Sequence, residues 1–205
     1  MGGRSVLVRK AHENTQNWFI EIDSFIKENI DALTCSDIKE IYFSLFRELK
    51  QWRSTSSLFT GFSELLLFRN LIHTIPEGFT PVKTGNINSH PILFKSDNYT
   101  LGQGIRKEFN GVRKYPDISV EYKGNLKSIA QIKIVMGSGQ KQLDKEVKTF
   151  KIMKNAYPNL KGLFISYIKG AFSEEKQKPL QKAGLKTVTL EDNKELIKNV
   201  LQYLI

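Results

Sequence analysis

The chain has one cysteine, three histidines and only 21 acidic residues against 31 lysines and arginines. A lone Cys35 rules out a disulfide framework within one chain, and a zinc site built from cysteines with it. His12, His73 and His90 are too widely separated to give the close ligand spacing of a metal motif. No apolar run reaches the roughly 18–20 residues of a membrane span. The opening Met1-Gly2-Gly3-Arg4 is followed by no long apolar core of a secretory signal. These absences predict a soluble, intracellular protein, cytoplasmic by default, with no membrane partner. What is present is ordinary for a globular chain: 40% hydrophobic and 25% charged residues over 205 positions. That length suits one domain, which buries roughly 70% of its unfolded surface and folds without staples.

The shortage of acid is local. From Gln103 to Lys154, twelve lysines and arginines face five acids, so +7 of the whole chain's +10 lies in this segment. Clustered positive charge predicts a polyanionic partner, and nucleic acid is the commonest. The plainer alternative is a solvated surface that keeps a small protein in solution.

Hydrophobic spacing divides the chain. Trp18, Ile22, Phe25, Ile26 and Ile30 recur at helical steps, as do Ile38, Ile41, Tyr42, Leu45, Leu49 and Trp52. Asp37 followed by Glu40 has the form of a capping box for the second helix. A polar connection at Arg53–Ser57 leads to a third helix over Ser63–His73, with Leu67, Phe68 and Leu71 inward. Pro76 to Lys114 reads as loops around one strand or a loose hairpin. Tyr115–Tyr122 and Ser128–Met136 then form a hairpin, followed by a helix over 140–155, with Leu143, Val147, Phe150 and Met153 inward. A strand at Leu160–Ile168, a helix at Glu174–Lys182, a strand at Thr187–Leu190 and a helix at Asn193–Leu204 complete the order. The fold class is α/β with a mixed sheet. Residues 1–57 read as an N-terminal helical extension, and 58–205 as an α/β core ending in a strand and a helix.

The hairpin carries the chemistry. With the two strands paired around Gly124–Asn125, Asp117 faces Lys133 and Ser119 faces Gln131, all four on one face. Hydrolysis of a phosphodiester draws on a divalent cation to offset phosphate charge and to make hydroxide from water. One or two carboxylates suffice to hold Mg²⁺, which keeps several of its waters. Asp117 supplies a carboxylate and Lys133 an ammonium suited to developing charge. Gln131 offers a neutral oxygen, and the Ile132 carbonyl another. Glu64, on the third helix, can be aimed at the strand ends as a second acid. Glu121 is a rival, but four residues of strand put it roughly 13 Å from Asp117, too far to share one ion. Downstream, the amides of Gly137-Ser138-Gly139 can meet a phosphate, and Lys141, Lys145 and Lys148 fall on one face of the following helix.

A helix glutamate, then Pro116-Asp117, then Gln131-Ile132-Lys133 on the next strand, resembles the PD-(D/E)xK nuclease superfamily. The resemblance spans roughly Ser63 to Ile168. It implies a restriction-endonuclease-like core of a helix, three antiparallel strands, a helix and a strand. It also implies a metal-dependent deoxyribonuclease using Mg²⁺, with Mn²⁺ able to substitute, acting on DNA as a homodimer or higher homo-oligomer. Carried over by residue, Asp117 is the metal-binding aspartate, Lys133 the motif lysine and Glu64 the acid of the first core helix. Gln131 and the Ile132 carbonyl complete the metal ligands. Arg113, Lys114, Ser138, Lys141, Lys145 and Lys148 would hold the nucleic acid. Gln131 stands where the family has Asp or Glu, which removes a charge from the site. A DNA-binding protein without catalysis on the same fold is the alternative that this substitution keeps open, and a helical module binding a protein through the Trp18–Trp52 region is a third.

Overall fold

The structure, a computed structural model, describes residues 20–50, 56–84, 91–135, 140–170 and 173–205. Trp18, Trp52 and the Gly137-Ser138-Gly139 turn lie outside them. Residues 20–29 are helical (α1), followed by α2 (Cys35–Lys50) and α3 (Ser56–Thr74). Then come β1 (Thr80–Thr84), β2 (Pro91–Lys95), β3 (Tyr99–Gln103), β4 (Lys107–Phe109), β5 (Val112–Lys114), β6 (Ile118–Tyr122) and β7 (Asn125–Val135). The chain continues through α4 (Gln140–Ala156), β8 (Lys161–Ile168), α5 (Glu174–Lys182), β9 (Leu185–Thr189) and α6 (Ile197–Gln202). Among the described residues no helix is long and apolar enough to cross a membrane.

Seven strands form one mixed sheet in the order β1-β2-β3-β6-β7-β8-β9, and β4 and β5 pair apart from it. Junctions from β1 to β7 are antiparallel, whereas β7, β8 and β9 run parallel. Parallel neighbours need a crossover, and α4 and α5 provide the two. Alternation along the strands feeds two cores. Ala130, Ile132, Leu163 and Ile165 pack with Ile26, Ile38, Tyr42, Leu67, Leu71 and Leu201, so α1, α2, α3 and α6 cover one face. Ile129 and Phe164 point the other way, toward Leu143, Phe150 and Met153 of α4, Leu180 of α5, and Phe109 of the β4–β5 hairpin. The segment expected to hold one strand or a loose hairpin among loops thus contributes five strands.

Local chemistry explains the element ends. The cap of α2 lies three residues earlier than Asp37–Glu40 suggests: the Thr34 hydroxyl accepts from the Asp37 N–H, and the Asp37 carboxylate accepts from the Thr34 N–H at 2.8 Å. Cys35 is buried in the same turn, and burial pushes its thiol up to about 12, which keeps it protonated and unreactive. Asp23 of α1 takes hydrogen bonds from Arg69 and, at 2.9 Å, from His73, pinning α1 to α3. Burial pushes that carboxyl up, but the hydrogen bonds from His73 and Arg69 outweigh it and hold it down at about 2.

Packing under α4 is tightest at Gly162. A Cβ added at Gly162 of β8 would overlap the Phe150 ring and a Leu185 methyl. Gly162→Ala is therefore expected to lower unfolding stability by about 1–3 kcal/mol, the usual cost of overpacking a close-packed core. A urea titration followed by circular dichroism measures it, and an unchanged midpoint would show that Phe150 has room to move.

Candidate active site

The site forms where β6 stops and β7 continues. The last pair between them is Ile118↔Ala130, yet β7 runs on to Val135 while still paired with β8. Continuing the register one step sets Asp117 opposite Gln131, a correction to the pairing with Lys133. The turn is Lys123-Gly124, with φ of 49° and 78°, and a bulge follows Val120, so the true register is displaced by two residues. An even displacement preserves side-chain parity, which is why Asp117, Gln131 and Lys133 still share a face.

Beyond the last pair the chain leaves β7. The Asp117 carbonyl accepts from Gly104 N–H at 3.0 Å on the β3 side, and its carboxylate Oδ2 accepts from the Ile132 N–H at 2.6 Å. Asp117 thus closes the backbone bonds of both flanking strands at the point where the sheet forks. Glu64 reaches the fork from the α3 side. Two hydrogen bonds to α3 carbonyls fix its turn: Tyr167 Oη donates to Ser63 O at 2.7 Å, and Gln103 Nε2 donates to Gly61 O at 3.2 Å. A cavity of about 330 Å³ opens here, lined by Glu64, Ile132, Lys133, Ile134 and Val135.

The charges at the fork are coupled. Burial pushes the Asp117 carboxyl up to about 6, against the pull of the Lys133 ammonium and the Ile132 N–H, and Glu146 adds to the push. Burial, then repulsion from Asp117, pushes Glu64 up to about 7, opposed by a hydrogen bond from Gln103 and by the Lys133 charge. Two acids raised toward neutrality by burial, one of them further raised by the other, mark the fork as a candidate functional site.

Glu146 of α4 is the residue that sequence reasoning passed over. Its carboxylate meets Lys133 Nζ at 3.2 Å, with side chains 12% and 25% exposed. A signal existed: Glu146 falls three residues after Leu143 and four before Phe150, on the inward stripe of an otherwise basic helix. Gln103, on the neighbouring strand, carried no such signal. Glu121, the rival acid, is ion-paired with Lys107 of β4. Lys141, Lys145 and Lys148 are exposed on α4, and Arg113 is exposed and Lys114 half-buried on β5, on the same side of the sheet. Ser138 lies outside the described residues.

Among the described residues no three His, Cys, Asp or Glu side chains gather into a metal cluster. The carboxyls that interact at the fork are those of Glu64 and Asp117, and the Gln131 amide and the Ile132 carbonyl are the candidate neutral donors on the strand opposite Asp117. Beside Glu64, Gln103 Oε1 is buried with no hydrogen-bond donor among the described residues. Hard oxygens of this kind, with two carboxyls whose mutual repulsion a cation would relieve, fit Mg²⁺ or Mn²⁺. Comparison with known proteins adds nothing to this: no protein-family model matches the chain, and no curated protein or solved structure does either.

Proposed function

We propose that the protein is a metal-dependent deoxyribonuclease, its sheet fork the counterpart of the PD-(D/E)xK centre on a restriction-endonuclease-like core. The observation that carries this reading is the convergence of Glu64, Asp117 and Lys133 on the fork between β6 and β7, from three separate elements. Glu64 and Asp117 would hold the cation, with Gln131 and the Ile132 carbonyl as neutral donors. A bound Mg²⁺ supplies charge neutralisation at the phosphate and a water acidic enough to yield hydroxide at neutral pH. Lys133 places its ammonium where charge develops on the phosphate oxygens, and Glu146 holds that ammonium in place. The exposed lysines of α4 and the arginine of β5 grip the phosphate backbone on the same side of the sheet. One such fork cuts one strand, so cutting both calls for a second copy of the chain.

The test is cleavage of linear, circular, single-stranded and branched DNA with Mg²⁺, Mn²⁺ or EDTA. Cutting that needs the metal is expected. A folded protein that binds DNA in a salt-dependent way and cuts none of these would overturn the enzyme and leave the binding protein. The neutral Gln131 is the observation that favours that second reading. Gln131→Glu adds a charge to the donor set and should tighten Mn²⁺ binding about tenfold or more in calorimetry. Unchanged affinity would mean that Gln131 is no ligand.

A further inference from the structure

The β4–β5 hairpin stands apart from the main sheet and is tied to it by Phe109, which is buried beneath α4 and meets the Tyr157 ring edge-on at 5.6 Å. Its Asn110-Gly111 turn, with φ of 48° and 79°, suits a tight two-residue reversal. After β5 the chain has only Tyr115 and Pro116 before it reaches Asp117. Pro116 is buried, and Asp117 is bonded to the strands on both sides. Tyr115 lies between β5 and these anchors and is 61% exposed, more than Tyr122, Tyr157 or Phe25. A residue before proline is restricted to extended backbone, so this ring projects from a main chain with little freedom left to lose. Burying an aromatic yields a large hydrophobic gain, and a ring held in water two residues from Asp117 offers that gain to a partner that covers it.

We infer that Tyr115 is a stacking platform for an unpaired base beside the scissile phosphate, so that DNA with a single-stranded end, a bulge or a branch point is the preferred substrate. This rests on the DNA-cleaving reading of the fork. Arg113, exposed on the strand leading to Tyr115, supplies a positive charge two residues from the ring for the phosphate of that nucleotide. A base inside an intact duplex is covered on both faces by its neighbours, and exposing one costs unstacking energy. A base already unpaired offers its face without that cost. Stacking of this kind tolerates any base, which predicts a preference for structure rather than for sequence.

The experiment compares a blunt duplex with the same duplex carrying one unpaired nucleotide, by fluorescence anisotropy in EDTA at fixed salt. Wild-type protein is expected to hold the second DNA about tenfold more tightly, the scale of one stacked base. Tyr115→Ala and Tyr115→Leu should bind both DNAs alike, and Tyr115→Phe should keep the preference. Lys145→Ala should weaken both equally, since a phosphate contact is blind to pairing. The exposed position leaves the core untouched, and the Leu variant retains bulk while removing the aromatic face. A folded Tyr115→Ala with the wild-type preference, or a wild-type protein with none, overturns the inference alone. A wild-type protein that binds neither DNA overturns the nucleic-acid reading beneath it.

Discussion

Asp117→Asn is expected to lower DNA cleavage by about 10³-fold or more while leaving the DNA affinity close to wild type and the unfolding midpoint no lower than wild type, since a carboxyl that burial pushes up is costly to ionise. The size follows from losing several kcal/mol of transition-state charge stabilisation at about 1.4 kcal/mol per tenfold. Asparagine is the informative substitution because it keeps an oxygen to accept from the Ile132 N–H, the bond that fastens Asp117 to β7. Removing the whole side chain would leave that amide without its acceptor and mix a structural cost into the result. Lys133 needs the same care. Its ammonium is paired with a carboxylate only 12% exposed, so Lys133→Ala alone strands Glu146. Lys133→Met combined with Glu146→Gln removes both charges with little change in shape, and should lower the cleavage rate by about 10²–10³-fold, the usual loss for one electrostatic contact to a transition state. Undiminished cleavage by folded Asp117→Asn would end the assignment of this site.

Much of the architecture was legible because long periodic segments announce themselves. The stripe Leu67, Phe68, Leu71 is fully buried on α3, and the Leu143, Phe150, Met153 stripe marks the core face of α4. Glu174–Lys182 is helical over the expected residues because an acidic first turn and a basic last turn complement the helix dipole. Short strands were harder. Five of them lie before Tyr115 in pieces of three to five residues, too brief for alternation to register. Even so, Asn110-Gly111 is a strong two-residue hairpin signal that identifies β4 and β5. The register of the β6–β7 hairpin could not be read from composition alone. A bulge adds a residue that alternation cannot show, and lysine at φ 49° is an unusual occupant of its turn.

The candidate site was half legible for a related reason. Asp117 and Lys133 lie on adjoining strands, where parity brings side chains together even when the register is off by two. Gln103 and Glu146 come from a third strand and from a helix on the far side of the sheet. Only the packing of α4 on Ile129 and Phe164 carries Glu146 to Lys133. Such convergence depends on tertiary packing, which spacing along one chain does not report.

Glu64→Gln should raise stability and remove activity together. Burial and the neighbouring Asp117 hold the Glu64 carboxyl at about 7 in the folded protein, against an ordinary value of 4.5. Between those values the unfolded chain releases its proton and the native chain keeps it, so the native state binds more protons and stability falls as pH rises. Above pH 7 the wild type carries the full cost of a buried carboxylate, about 1–3 kcal/mol once solvent screening is allowed for. Glutamine fills the same space without ionising, so the variant should be more stable than wild type at pH 8 and equal to it at pH 4. Added Mg²⁺ should stabilise the wild type at pH 8 by binding only the folded chain, and should do less for the variant. Urea unfolding at the two pH values, with and without Mg²⁺, reads all of these. A variant less stable than wild type at pH 8 would make Glu64 a structural acid, and the fork would lose its second carboxylate.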